Sequence, residues 1–172
     1  AIRACAEAGQ ASSALSAFRL MKLRGVRRSL LEYNGVLGAL NAAGRWKAAL
    51  YMIDEMKAER VRPTLVSYNL ALGACAKAAR AEAAIELLSA MRAAGLEPDA
   101  VSYSSAIAAS SRSADVPKVL GLIGAMEDQG VEADSFSWSS AIAACERSGD
   151  WAAALALFER LREAGNADTI AV

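Results

Sequence analysis

The sequence returns to itself every thirty-five residues. Residues 66–100, VSYNLALGACAKAARAEAAIELLSAMRAAGLEPDA, fall on VSYSSAIAASSRSADVPKVLGLIGAMEDQGVEADS when moved forward one period and on FSWSSAIAACERSGDWAAALALFERLREAGNADTI when moved two. Moved back, they fall on LEYNGVLGALNAAGRWKAALYMIDEMKAERVRPTL and then on a shortened copy that starts at Ala1. Five columns hold without insertion or deletion. They are Ala4, Ala39, Ala74, Ala109, Ala144; Met21, Met56, Met91, Met126, Leu161; Tyr33, Tyr68, Tyr103, Trp138; Leu15, Leu50, Ile85, Leu120, Leu155; and Phe18, Ile53, Leu88, Ile123, Phe158. A fixed period of this length marks a stacked array, in which each unit buries its apolar face only against its neighbours.

Within a copy the apolar residues recur at helical spacing, as Ala14, Leu15, Phe18 and Met21 do, and no alternating strand pattern interrupts them. The expected helices cover about 11–24, 31–42, 46–58, 66–77, 81–93, 136–147 and 151–163. A further helix starts at Asp115 with Pro117 in its first turn. Gly25, Gly44, Gly95 and Gly165 fall where helices should stop, and Pro63 and Pro98 sit in connectors. Gly121 and Gly124 weaken the second helix of their copy by roughly 1 kcal/mol each relative to alanine. That helix should be the softest element or be packed unusually closely. The fold class is therefore all-α, an α-solenoid of helix–turn–helix hairpins whose first helices line the inner face and second helices the outer. One array fills residues 1–172, with a partial copy at 1–29 and full copies at 30–64, 65–99, 100–134 and 135–169. Ala1 already lies inside a copy, so the chain should be a piece of something longer, with any targeting segment upstream.

Composition narrows the function. Nineteen Lys/Arg balance nineteen Asp/Glu, so charge alone does not mark a strongly basic nucleic-acid binder. The charges are unevenly spread: residues 1–64 carry eleven Lys/Arg and five Asp/Glu, residues 65–172 eight and fourteen. One end could meet a polyanion, or the asymmetry could be ordinary solvated surface. Lys22, Arg24, Arg27 and Arg28 follow a helix C-terminus, where the dipole also favours cations. Cys5, Cys75 and Cys145 share one column two copies apart, too distant for a disulfide and read as small buried apolar residues. With no histidine and no CxxC pair there is no metal set, and no cofactor is expected. No apolar run is long enough to span a bilayer. No phosphate-cradling glycine loop and no nucleophile with a base argue for catalysis or a small-molecule substrate.

Aromatic–Asn/Ser, Ala-Cys, Lys/Arg, Gly, Ala-Leu/Ile, Met and Gly-Leu/Val-x-Pro-Asp, in that order and at thirty-five residues, resemble the pentatricopeptide repeat family over essentially the whole chain. Tetratricopeptide repeats differ in period and in their Trp, Gly and Pro pattern. The resemblance implies a right-handed superhelix that binds single-stranded RNA in mitochondria or chloroplasts, one nucleotide per copy and parallel to the chain. It implies that two positions select the base: the residue after the first-helix aromatic and the last residue of the copy. Here those pairs are Asn34 with Thr64, Asn69 with Asp99, Ser104 with Asp134, and Ser139 with Thr169, implying 5′-(C/U)-U-G-(A/G)-3′. It further implies that Leu31, Val66, Val101 and Phe136 sandwich the bases. Lys77, Arg112 and Arg147 occupy the phosphate-facing position, from which Glu7 and Ala42 depart.

Each selector also has a structural role open to it. Asn or Ser near a helix start can cap free N–H groups, as can Asp in a connector. The Tyr/Trp column reads as packing between copies. Stacking is worth about 1–3 kcal/mol per base, before association and ordering costs, so four sites without net positive charge should bind weakly, about micromolar or worse. A scaffold holding protein or rRNA in an organellar assembly such as a ribosome is the alternative.

Overall fold

The computed structural model describes residues 10–163, and among them there are nine α-helices and no strand. In order they are α1 (Ala11–Leu23), α2 (Leu30–Ala42), α3 (Trp46–Ala58), α4 (Leu65–Lys77), α5 (Ala81–Ala93), α6 (Ala100–Arg112), α7 (Val116–Asp128), α8 (Ser135–Ser148) and α9 (Trp151–Glu163). Cys5, Glu7, Gly165 and Thr169, all read above, lie outside the described residues.

Capping chemistry sets the helix starts. Helices α2, α4, α6 and α8 follow Ser29, Thr64, Asp99 and Asp134, all residues whose side-chain oxygen can serve a helix N-terminus. Ser102 N–H donates to Asp99 at 2.8 Å, and Ser137 N–H donates to Asp134 at 2.8 Å. Helices α2, α4 and α8 thus start one residue before their expected positions. Asp115 accepts from Lys118 N–H at 3.2 Å, and Pro117 stands in the first turn of α7 as read from the sequence. The turn inside each hairpin needs one left-handed residue. Gly44 and Gly149 supply it at φ +63° and +73°, but Ala79 and Ala114 adopt it too, at +53° and +55°. In the longer connectors Gly25, Gly95 and Gly130 hold that conformation, and Arg60 adopts it at +58°.

The core is a strip. Tyr33, Tyr68, Tyr103 and Trp138 are buried, with Ala39, Ala74, Ala109, Ala144, Met56, Met91 and Met126 around them. The aromatic column is therefore packing, as its spacing implied. Tyr68 Oη donates to the Ala90 carbonyl at 3.5 Å and Tyr103 Oη to that of Ala125 at 3.1 Å, tying the two helices of a hairpin. Tyr33 Oη is buried without a partner among the described residues, and burial pushes its phenol up to about 12. Cys75 and Cys145 are free and buried; desolvation lifts Cys75 to about 11.

Helices α2, α4, α6 and α8 pack against one another in succession, each also touching its flanking second helices. The second helices meet chiefly through long side chains, so the first-helix layer is the tighter, inner one. Across the outer layer, Lys22 pairs with Glu55 at 3.0 Å, Lys118 with Glu82 at 3.1 Å, and Arg160 with Glu127. Arg28 departs from its cluster: it is buried over the Phe18 ring at 4.7 Å and bonded to Glu55 and Glu59. Gly121 and Gly124 are not sites of close approach, because a methyl group at either would meet nothing within 4 Å. Helix α7 nevertheless keeps its full thirteen residues.

Candidate nucleic-acid interface

Four large apolar side chains stand at the second residue of successive first helices. Leu31, Val66, Val101 and Phe136 are 72%, 56%, 56% and 57% exposed. Two residues on in each helix, Tyr33, Tyr68, Tyr103 and Trp138 are core, so this exposure is a property of the position and repeats with the period. Three residues further along the same helix face stand Asn34, Asn69, Ser104 and Ser139. Thr64, Asp99 and Asp134, the last residues of three copies, are the N-caps of the next first helices.

At the central position these residues form a bonded network. Asn69 Nδ2 donates to both oxygens of Asp99, at 3.1 and 3.3 Å, across thirty residues of chain. Ser102 Oγ lies 2.6 Å from Asn69 Oδ1 and 2.8 Å from Asp99 Oδ1, and accepts from Asp99 N–H at 3.2 Å. The Asn69 amide has one consistent orientation here, because its NH2 must face the carboxylate. Burial opposes ionisation of Asp99, but the hydrogen bonds from Ser102 and Asn69 outweigh it and hold the carboxyl below its ordinary range. Asn69 caps nothing, which corrects that reading of it. Asp99 both caps α6 and holds Asn69.

Asn34 is held in the same way at one end, with Ser67 Oγ donating to Asn34 Oδ1 at 2.7 Å. Thr64 reaches this pair only through Ser67, to which its Oγ1 and its N–H both lie at 3.2 Å. Ser104 and Asp134 are not bonded to each other. Ser104 Oγ donates to the Val101 carbonyl at 3.3 Å, and Asp134 caps α8. Ser139 Oγ donates back to the Ser135 carbonyl, so neither serine caps an N–H group. The serines Ser67, Ser102 and Ser137 were not among the expected site residues. Their signal was a column of identical residues at one period, broken only by Glu32, which instead forms a capping box with Ser29.

The three basic residues diverge. Lys77 Nζ donates to the Ala42 carbonyl at 3.4 Å, at the C-terminus of α2. Arg147 Nη1 donates to the Ser111 carbonyl at 3.2 Å and to Ser111 Oγ at 3.0 Å, at the end of α6. Arg112 is exposed and makes no such bond among the described residues.

The sequence matches the family models described as pentatricopeptide repeat domain over residues 16–78, PPR repeat family over 63–112, and PPR repeat over 1–26 and 136–166. The chain belongs to the pentatricopeptide repeat family. No curated protein matches it significantly. Among solved structures, its pentatricopeptide array is similar to PPR10 in complex with an 18-nt psaJ RNA element, at 28% identity and a TM-score of 0.76, over 94% of this chain and 24% of that one. It is similar to PPR10 from maize at 26% identity and a TM-score of 0.74, over 95% and 23%. The PPR domain of Arabidopsis thaliana protein-only RNase P 1, in complex with tRNA, matches at 18% identity and a TM-score of 0.78, over 94% and 86%; that likeness is one of fold. The chain therefore spans about a quarter of PPR10. No helix among the described residues is long and apolar enough to cross a membrane.

Proposed function

We propose that this pentatricopeptide array binds single-stranded RNA, one nucleotide per copy along 30–64, 65–99, 100–134 and 135–169, with 5′-(C/U)-U-G-(A/G)-3′ as its preferred order. The observation that carries the reading is the exposed Leu31–Val66–Val101–Phe136 ladder with the Asn69–Asp99 bond beside it. A base lying between Val66 and Val101 would have apolar side chains against both faces and the amide and carboxylate at its edge. That edge chemistry suits a pyrimidine, since Asn69 retains a donor and an acceptor lone pair beyond its internal bonds. The short Ser104 leaves more room, which suits a purine. Lys77, Arg112 and Arg147 would follow the phosphates, with Arg112 the least committed to its own chain. The organellar setting implied by the resemblance belongs to this proposal, and Thr169 enters it by register alone.

The test is binding of the 172-residue chain to short RNAs at low salt, comparing a UG-containing oligonucleotide with its GU counterpart. The UG ligand should win, and Asn69→Ser combined with Ser104→Asn should reverse the preference. Binding indifferent to the swap rejects the reading. A second reading, a scaffold subunit that holds protein or rRNA in a larger assembly, is favoured by exposed Leu20 and Tyr51 on the outer layer. It would lead if RNA binding were absent.

A further inference from the structure

Three buried serines occupy one position of successive first helices, and only two of them have partners. Ser67 Oγ donates to Asn34 Oδ1 and Ser102 Oγ to Asn69 Oδ1, in both cases across thirty-three residues. Ser137 stands in the same register toward Ser104, with its residue 0% exposed and its hydroxyl bonded to nothing among the described residues. The reason is length. Serine ends at Oγ, one bond short of where an asparagine would place its amide oxygen, so the acceptor that satisfies the other two serines is missing here. Ser104 cannot turn to fill the role of donor either, because its one hydroxyl proton goes to the Val101 carbonyl at 3.3 Å. Buried hydroxyls are rarely left without a partner, and one that is left calls for an explanation.

We propose that Ser137 is a third base-selecting residue at the Ser104–Asp134 position, donating its hydroxyl hydrogen to an acceptor on the bound base. This rests on the RNA-reading function proposed above and extends it. The chemistry points to guanine. Its Watson–Crick edge offers one acceptor, O6, beside the donors N1–H and N2–H2. Asp134 uses Oδ1 to cap α8 and keeps Oδ2 for the two donors. What the edge still requires is a hydrogen-bond donor for O6, and Ser137 is the hydroxyl in this site with a proton to spare. Adenine presents an amino group where guanine has O6, so a donating hydroxyl would disfavour it. At the two neighbouring positions the same serine is spent on asparagine. There it is a positioning residue that orients the amide and does not touch the base. The selector set thus changes membership with the length of one side chain.

The experiment measures affinity of wild type and Ser137→Ala for three oligonucleotides that differ only at the third base: guanine, inosine, which lacks the 2-amino group, and 2-aminopurine, which lacks O6. Ser137→Ala should weaken guanine and inosine binding about 5–10-fold, the usual loss for one hydrogen bond, and leave 2-aminopurine binding unchanged. It should not lower the melting temperature, because the hydroxyl has no partner to lose; a merely structural serine would. In a Ser104→Asn background, where the amide oxygen takes up the hydroxyl, Ser137→Ala should no longer act through O6. Equal binding of all three RNAs by wild type and Ser137→Ala, with uracil preference at the preceding position intact, overturns this inference alone. Failure of wild type to prefer UG over GU overturns the reading beneath it, and this inference with it.

Discussion

Asp99 combines two duties that are separate in most helices. It caps α6 and it holds Asn69, and its depressed carboxyl couples both to pH. Its folded pKa lies below the unfolded one, so its stabilising contribution is full above the ordinary carboxylate value of about 4 and is lost as pH falls through the folded value. Urea midpoints between pH 3 and 6 should therefore drop on the acid side, with Glu32, Glu59, Glu82 and Asp115 sharing the slope because they too are held low. Asp99→Asn keeps a capping oxygen and should flatten part of that slope. A second residue-scale expectation concerns Ala79 and Ala114, which sit in the left-handed region that Gly44 and Gly149 occupy in other copies. Alanine is strained there by about 1–2 kcal/mol, and glycine gives back some of this in entropy. Ala79→Gly and Ala114→Gly should each raise stability by about 1 kcal/mol in urea unfolding.

At the scale of the helix, glycines of identical type have opposite meanings. Gly121 and Gly124 face open space, so replacement by alanine should stabilise α7 by roughly 1 kcal/mol each. A methyl at Gly73 would meet the Asn41 side chain at 2.7 Å, so Gly73→Ala should destabilise the α2–α4 contact instead. Thermal melts of the three variants separate these signs. The helices themselves were legible from sequence because columns at one period expose the apolar face, the cap and the stop together. Asn69 with Asp99 was legible as a pair, and the structure brings them into contact. What stayed hidden depends on reach. Arg28 reads as one of four solvated cations, yet it is buried because it stands in the column of Pro63 and Pro98 and has Glu55 and Glu59 opposite. The serine bridge stayed hidden because serine near a helix start is read most economically as a cap.

For the whole molecule, a strip core and an even balance of charge separate stability from affinity. Each basic residue that meets an RNA phosphate should contribute about 0.7 to the slope of log affinity against log salt. Arg112→Ala should lower that slope and leave unfolding unchanged, since Arg112 makes no hydrogen bond among the described residues. Lys77→Ala and Arg147→Ala should lower both, because each also closes the C-terminal carbonyls of a neighbouring helix. Titrations across a range of potassium chloride, paired with melts of the same variants, check the difference.

The bond from Ser102 to Asn69 joins residues thirty-three positions apart, so each proposed nucleotide position would be completed by the copy that follows it. Anyone cutting this array into exchangeable cassettes would therefore need breakpoints that carry each asparagine together with the serine downstream. Gene duplication faces less of this difficulty. Adding or losing a whole period preserves the thirty-three-residue spacing, and each asparagine again meets a serine wherever the break brings in Ser67, Ser102 or Ser137 and not Glu32.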